Sequence, residues 1–276
     1  MNKHDSLGDR MKEFYENRAK TYLSRRTPVI IRLDGRAFHT LTKGFVKPFD
    51  KRLIETMQET TLELCKNVQG CVFGYTQSDE ITLVLVDYKN IDSEAWFDYN
   101  VQKMCSISAS MATLFFNRIF ERKANEFMLD MQKVADNPSA YGEDFSSMVR
   151  KLILSYQKAI NMGGLFDSRC FNIPKEEVTN CVLFRQNDCS RNSITALALA
   201  HFSHKAIQGK NGSEKQDMLM NKFGINWNNL STVEKRGSAI IRNEEGKWFI
   251  DKEMPILKGD GREYVEKLIN FEENDD

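Results

Sequence analysis

The sequence lacks most features that would mark a zinc-binding, secreted or membrane protein. Its six cysteines form no Cys-x-x-Cys pair and no spacing typical of zinc ligands, which favours free thiols in a reducing compartment. No stretch approaches the length of a transmembrane helix, and the residues after Met1 lack the apolar region of a signal peptide. We therefore expect a cytoplasmic protein without a membrane partner.

The sequence also lacks an excess of charge of either sign. Lys plus Arg and Asp plus Glu number 39 each, so the formal net charge is zero and any binding of a polyanion has to come from local patches. The chain has 276 residues, of which 41% are hydrophobic and 28% charged, so it can bury a sizeable core. No internal repeat is visible.

Hydrophobic periodicity predicts an α+β fold. An amphipathic helix over 6–27 precedes a buried strand at about 28–34, and Asp50 is well placed to cap a helix over 52–68. The other predicted elements are a hairpin of 72–75 and 81–86, a long helix over 93–122, a polar helical excursion over 123–165, a strand over 166–173, helices over 185–208 and 214–222, and a C-terminal hairpin of 235–242 and 247–251. This order predicts an antiparallel sheet covered by helices.

Two carboxylates stand at the ends of predicted strands on either side of a helix. Asp34 closes an apolar run, and Gly35 then permits a tight turn with the backbone close to a ligand; Asp79 and Glu80 stand at the hairpin turn. Such a pair suits a divalent metal ion in phosphoryl transfer, because Mg²⁺ takes one or two carboxylates together with substrate phosphates. If Asp79 faces the metal, Glu80 points to the other face and either supports the site from behind or contacts a neighbour. On spacing alone, ordinary turn residues are the commoner explanation.

Two further stretches suit anion binding. Successive N–H groups over 36–39 can cradle a triphosphate, and Lys47 would add a point charge. Lys103, Ser106 and Ser110 share one helix face that could line an anion site, although a solvated face more often shows this pattern.

The later helix offers a second polar face. Arg185, Asp188 and Asn192 lie on one side of it, where the arginine suits recognition of a phosphate or a base. An intrahelical ion pair explains the same pattern equally well. His201 and His204 are one turn apart, and no nearby Cys or third His completes a metal site around them.

Together these stretches resemble the tRNA-His guanylyltransferase family and its guanylyltransferase-like 3′–5′ RNA polymerases. The likeness follows the family's order through 32–39, 45–50, 75–80, 166–174, 185–188, 209–219, 224–228 and 235–237, and covers most of residues 6–242. Residues 190–193 read Ser-Arg-Asn-Ser where the eukaryotic enzymes have His-Ile-Asn-Asn. This departure favours the branch that resembles template-directed repair enzymes for truncated tRNA 5′ ends.

The resemblance implies a single catalytic domain over 1–276. It would have a palm-like core of the polymerase and nucleotidyl cyclase type over about 28–122 and 166–208, a helical insertion over about 123–165, and a C-terminal region over about 209–276. The implied enzyme is a metal-dependent nucleotidyltransferase in which the 3′-hydroxyl of a nucleoside triphosphate attacks an activated 5′ phosphate of tRNA. It would use two Mg²⁺ ions, with ATP and GTP or other NTPs as substrates, and would assemble as a homotetramer, a dimer of dimers.

The same resemblance assigns roles to individual residues. Asp34, the carbonyl of Gly35 and Asp79 would ligate the metal ions, and Asp34, Asp79 and Glu80 are the expected catalytic residues. The residues expected to bind nucleotide are Asp34, Gly35, Arg36, Ala37, Phe38, His39, Lys47, Asp50, Ser78, Asp79, Lys103 and Ser106, with Asp50 placed to read guanine. Those expected to contact RNA are Arg185, Asp188, Asn192 and Lys215.

Two other functions stay open on these residues. A nucleotidyl cyclase would apply the same palm chemistry to a single NTP. An RNA-binding module would keep the fold without turnover, although intact carboxylates at both Asp34 and Asp79 argue against it.

Overall fold

The computed structural model describes residues 6–271, so the predicted domain limits at 1 and 276 lie outside the described residues. One sheet forms its centre. The strands are β1 (Val29–Gly35), β2 (Cys71–Gln77), β3 (Glu80–Leu85), β4 (Phe166–Asn172), β5 (Ser238–Arg242) and β6 (Trp248–Asp251). They run antiparallel in the order β4-β1-β3-β2-β5-β6. The predicted α+β fold with an antiparallel sheet is thereby confirmed.

Helices cover both faces of this sheet. They are α1 (Ser6–Met11), α2 (Phe38–Leu41), α3 (Lys51–Asn67), α4 (Val101–Ala135), α5 (Pro138–Tyr141), α6 (Glu143–Met162), α7 (Lys175–His201), α8 (His204–Ile207), α9 (Gly212–Phe223), α10 (Thr232–Arg236) and α11 (Glu263–Glu266). Short π and 3₁₀ turns add Lys12–Glu16, Asn17–Ala19, Trp96–Tyr99, Trp227–Asn229 and Gly259–Arg262. Within residues 6–271, no helix is both long and apolar enough to cross a membrane.

Successive side chains of β1 point alternately into two separate hydrophobic cores. Ile31 and Leu33 point into the core beneath α3, α4 and α6, whereas Ile30 points to the opposite face, beneath α7 and the C-terminal segment that ends near Ile269. All of these residues are essentially inaccessible to water. The strand that carries Asp34 is therefore clamped on both sides, which fixes the position of its end.

The segment expected as a helical excursion contributes directly to the core. Tyr156 of α6 is fully buried, and its ring stacks on Phe45 with 4.4 Å between the centroids. Its hydroxyl donates to Asp50 Oδ2 at 2.6 Å. Helix α6 thus holds the loop that leads into α3, next to the end of β1.

Two predicted helices near the N-terminal half have the wrong bounds, and tertiary contacts account for the end of the first and the start of the second. The first helical stretch ends at Ala19 rather than 27, because the chain beyond it is tied to neighbours: the Leu23 N–H donates to the Tyr99 carbonyl at 3.0 Å. The long helix spans Val101–Ala135 rather than 93–122. Phe97 and Asp98 adopt positive φ, and Asn100 caps the helix by accepting from the Lys103 N–H at 3.0 Å.

Helix α7 also differs from its prediction. It spans Lys175–His201, so it starts ten residues before the predicted 185 and ends before 208. Pro174 stands just before it, and Glu176 and Glu177 in the first turn complement the helix dipole. These start signals are present in the sequence and mark the true beginning.

Candidate active site

The end of β1 lies against the turn between β2 and β3. The Gly35 N–H donates to the Asp79 carbonyl at 3.0 Å. A Cβ built on Gly35 would lie 2.9 Å from Asp79 Cβ and 2.5 Å from a ring carbon of Phe38, closer than real Cβ atoms approach. Only glycine fits at this position, and the two stretches that were predicted to supply carboxylates are in contact.

Strand register places three acids side by side, which we call the acid row: Glu80 on β3, Asp34 on β1 and Asp167 on β4. Residues directly opposite each other in antiparallel strands share a face, with Cβ atoms about 5 Å apart. Asp167 was not predicted as a site residue. It belongs to the Phe-Asp motif of β4, but only the strand order reveals that it flanks Asp34.

The acids of this row differ in their partners. Glu80 pairs with Arg185 and lies 3.5 Å from Arg32, and Asp167 pairs with Arg169 at 3.2 Å. Among residues 6–271, the carboxylate of Asp34 has no hydrogen-bond or ion-pair partner. Each flanking acid is thus compensated by arginine, while the central one is left for a ligand.

Burial and like charge both act on the two aspartates. Burial raises the pKa of Asp34, and the charges of Glu80 and Asp167 raise it further. Burial also raises the pKa of Asp79; the Ser78 hydroxyl, which donates to its carboxylate at 3.0 Å, opposes this, and the Asp34 charge adds to it. Both ionised carboxylates are therefore disfavoured in the folded protein, and a bound cation would stabilise them.

This donor set fits a hard divalent cation. Two carboxylates on adjoining segments, Asp34 and Asp79, leave several coordination sites for substrate phosphates and water, as Mg²⁺ prefers. In the described part of the chain, no group of three or more His, Cys, Asp or Glu side chains could hold a metal ion. The arrangement therefore suits an ion that is bound jointly by protein and nucleotide, rather than a closed protein cage.

A cleft of about 340 Å³ opens beside Gly35 and Asp79, and Asp34 precedes its lining residue Gly35 without lining the cleft itself. It is lined by Gly35, Ala37, Phe38, His39, Thr42, Leu53, Ser78 and Asp79, of which all but Thr42 and Leu53 were predicted to bind nucleotide. A second pocket, of about 170 Å³, shares Leu53 and Ser78 with it. This pocket brings together Asp50 and Asn192, which are far apart in the sequence.

Part of the backbone of the turn after Gly35 already takes part in hydrogen bonds within the protein. The Arg36 N–H donates to the Leu165 carbonyl at 2.8 Å, and Ala37 adopts a left-handed conformation with φ of 56° just before α2. The Phe38 ring is buried and packs edge-on against Phe116 and Phe166. The His39 side chain is exposed at the rim.

Asp50 is a structural hub of the second pocket. Its Oδ1 accepts from the N–H groups of Arg52 and Leu53, and its Oδ2 accepts from the Val46 N–H and the Tyr156 hydroxyl. The predicted N-cap of α3 is confirmed, whereas a role in reading guanine stays a prediction. Lys47 is exposed beside this loop.

Lys103 and Ser106 are not brought to the cleft. Both lie on the exposed side of α4. Helix α4 is tied to the cleft through Thr113, whose hydroxyl accepts from the Phe166 N–H at 3.2 Å, and Phe166 pairs with Gly35. At about 1.5 Å per residue, Lys103 lies roughly 15 Å along the helix from that point.

The residues expected to contact RNA lie in different settings. Arg185 is buried and pairs with Glu80 and Asp188, while Asn192 lines the second pocket. Lys215 lies on α9, where its Nζ donates to Thr195 Oγ1 on α7 at 3.0 Å. The intrahelical ion pair between Arg185 and Asp188, one of the two explanations of their spacing, is therefore present.

Comparison with known proteins identifies the family. Residues 8–174 match the family model for tRNAHis guanylyltransferase (Thg1), and residues 178–263 match the model for the Thg1 C-terminal domain. A solved bacterial tRNA(His) guanylyltransferase-like protein in complex with ATP is 39% identical, with a TM-score of 0.77 over 96% of this chain and 99% of that one. A GTP complex of a bacterial protein of the same description is 36% identical, with a TM-score of 0.73 over 97% of this chain and 100% of that one.

Relatives in eukaryotes are more distant. A probable tRNA(His) guanylyltransferase from Dictyostelium discoideum is 26% identical over 253 residues, which span 87% of this chain and 84% of the relative. Because the first family model alone matches more than half of the chain, and the motifs that it shares converge on the cleft, the chain belongs to the tRNAHis guanylyltransferase family.

Proposed function

We propose that this chain is a metal-dependent 3′–5′ nucleotidyltransferase that adds nucleotides to the 5′ end of tRNA. The observation that carries the proposal is the contact of Gly35 with Asp79 beside the cleft, which brings Asp79 next to the end of the strand that carries Asp34. In the acid row, Asp34 alone lacks an arginine partner among the described residues. A site built in this way can hold a cation and a triphosphate together.

The reaction is a substitution at phosphorus. The 3′-oxygen of the NTP forms a bond to the 5′ phosphorus of the RNA as the bond to AMP, or to pyrophosphate when the RNA carries a 5′-triphosphate, breaks; the hydroxyl proton passes to solvent. Bound Mg²⁺ would polarise the attacking hydroxyl and stabilise the leaving group. Asp34, Asp79 and the carbonyl of Gly35 would hold two such metal ions.

The chain's own residues would place the triphosphate. Because the Arg36 N–H is already bonded to the Leu165 carbonyl, the cradle that we propose consists of the N–H groups of Ala37, Phe38 and His39. Lys47, exposed beside the second pocket, would add positive charge. The ATP and GTP in the bacterial relatives support a nucleoside triphosphate in this cleft.

The partners follow from the same resemblance. We propose tRNA as the acceptor, either through G addition to tRNA-His or through templated repair of truncated 5′ ends, in a cytoplasmic homotetramer. Sequencing the RNAs whose 5′ ends lengthen in the presence of all four NTPs identifies the acceptor, and sizing the protein in solution tests the tetramer.

The decisive experiment supplies a 5′-truncated tRNA transcript bearing a 5′-triphosphate, together with NTPs and Mg²⁺. The wild-type protein is expected to extend it, while Asp34→Ala and Asp79→Ala are expected to abolish extension and keep the far-ultraviolet circular dichroism spectrum. Asp167→Ala is the matched control, since this acid of the same row is exposed and already paired with Arg169; it should retain extension. Failure of the wild type to extend any such RNA contradicts the proposal.

A simpler incubation distinguishes a nucleotidyl cyclase from the proposed enzyme. With ATP or GTP and no RNA, a nucleotidyl cyclase releases a cyclic mononucleotide, whereas the proposed enzyme releases none.

A further inference from the structure

A chain of ion pairs leads from the acid row into α7. Glu80 Oε2 accepts a hydrogen bond from Nη2 of Arg185 and lies 3.5 Å from Nη2 of Arg32. The same Arg185 nitrogen donates to Asp188 Oδ2 at 3.0 Å, and Asp188 Oδ1 accepts from Arg191 at 2.9 Å. Glu80, the acid next to Asp34 on β3, is therefore held by two arginines.

Arg185 is enclosed by the protein. Its side chain is only 7% exposed, and its Nε is buried without a hydrogen-bond partner in the described part of the chain. A buried cation is costly unless it is paired, so this guanidinium is fixed by the two carboxylates on either side of it. To reach a phosphate of RNA it would have to abandon both. Its place in the structure favours a role inside the protein.

We propose that Arg185 is a positioning residue that keeps the Glu80 carboxylate turned away from the metal site, so that Asp34 and Asp79 are the acids that hold the metal. This inference rests on the proposed function. When Arg185 is lost, Glu80 retains only the longer contact with Arg32 and turns toward Asp34, its direct neighbour across the strands. A third carboxylate, held only by Arg32, then draws the cation in and repels the triphosphate.

The test is the binding of Mn²⁺ to the nucleotide-free protein, followed by electron paramagnetic resonance. Arg185→Gln is expected to bind Mn²⁺ about tenfold more tightly than the wild type, because a carboxylate that has lost its buried arginine partner lies within several ångströms of the site. The same variant is expected to show a higher KM for the NTP and slower extension. A purely structural role would weaken metal binding and extension together, so the opposite directions are diagnostic.

Removal of the released charge should reverse the effect. In the double variant Glu80→Gln/Arg185→Gln, both partners are neutral and the buried groups can still hydrogen-bond to each other; we expect Mn²⁺ affinity to return to within about twofold of the wild type. This variant also keeps the test available when Arg185→Gln alone does not fold. Arg191→Gln is the matched control: it removes the arginine at the other end of the chain of ion pairs, which is 67% exposed, and should leave Mn²⁺ affinity unchanged.

The outcomes separate the two levels of inference. Unchanged Mn²⁺ affinity in Arg185→Gln, or a double variant that still differs from the wild type as Arg185→Gln does, overturns the role given to Arg185. Failure of the wild type to bind Mn²⁺, or binding that Asp34→Asn does not weaken, overturns the metal site itself and with it the proposed function.

Discussion

Asp34→Asn is expected to stabilise the metal-free protein while it abolishes extension. Burial and the charges of Glu80 and Asp167 raise the pKa of Asp34, so its ionised form is disfavoured in the folded state. Asn keeps the shape of the side chain and removes the charge. A gain in stability from the loss of a proposed catalytic group would show that the site stores unfavourable electrostatic energy for its ligand.

The size of the gain follows from the register. Two unit charges about 5 Å apart interact with roughly 1 kcal/mol in water and about 3 kcal/mol at an effective dielectric constant of 20. The arginines paired with Glu80 and Asp167 offset part of this repulsion, and Asp34 is partly exposed. We therefore expect about 1 kcal/mol, which for a domain of this size raises Tm by roughly 2–4 °C.

The stabilisation expected for Asp34→Asn should depend on pH. A carboxyl whose pKa is raised on folding binds its proton more tightly in the folded state, so the stability of the wild type falls as the pH rises from the usual pKa of aspartate through the raised one. The advantage of Asp34→Asn should be absent below that window and complete at neutral pH. Thermal melts without metal across this range provide the measurement.

Asp167→Asn is the matched control, because it is the same substitution in the same row. Asp167 is 62% exposed and paired with Arg169, so its replacement removes a favourable ion pair together with the repulsion from Asp34 and should give no net stabilisation. A lower Tm for Asp34→Asn at neutral pH, or an equal rise for Asp167→Asn, would refute the electrostatic reasoning.

Three further substitutions probe the frame of the site. Gly35→Ala places a methyl group 2.9 Å from Asp79 Cβ and should reduce extension more than tenfold, measured on the triphosphorylated transcript; normal turnover would contradict the close approach. Tyr156→Phe removes a donor to the buried Asp50 and should lower the free energy of unfolding in urea by about 1–2 kcal/mol. It should also raise the KM for the NTP; an unchanged KM would show that α6 does not influence nucleotide binding in the pocket. Asp87→Asn weakens the bonds to Arg25 and Arg26 and should cost about 2 kcal/mol with extension retained, because Asp87 follows the end of β3 remote from Glu80; lost extension would contradict this.

The sequence predicts the site where the information is local. An apolar run that ends in Asp-Gly, and a hairpin whose turn carries Ser-Asp, are each encoded by adjacent residues, and the strands differ from their predicted bounds by three residues or fewer. Asp50 as an N-cap is likewise a local property. These features required no knowledge of the strand order.

Features that depend on distant parts of the chain escaped prediction. Asp167 flanks Asp34 only because β4 pairs with β1, and Tyr156 reaches Asp50 only because α6 packs into the core. The face shared by Arg185 and Asp188 left an RNA contact and an ion pair equally open, since burial of α7 depends on what covers it. Lys103 shows the same limit: helical periodicity places it on a face but cannot say how far that face lies from the cleft.

The burial of β1 on both faces of the sheet also affects the folding of the protein during synthesis. In the described part of the chain, α7 and the segment that ends near Ile269 pack on one side of the sheet, and β5 follows α7 in the chain. A nascent chain that has just passed β4 would present Ile30, Phe73 and Val84 to water as an apolar surface. Such a surface attracts chaperones and other nascent chains, so translation of the last hundred or so residues sets when the protein can leave the ribosome safely.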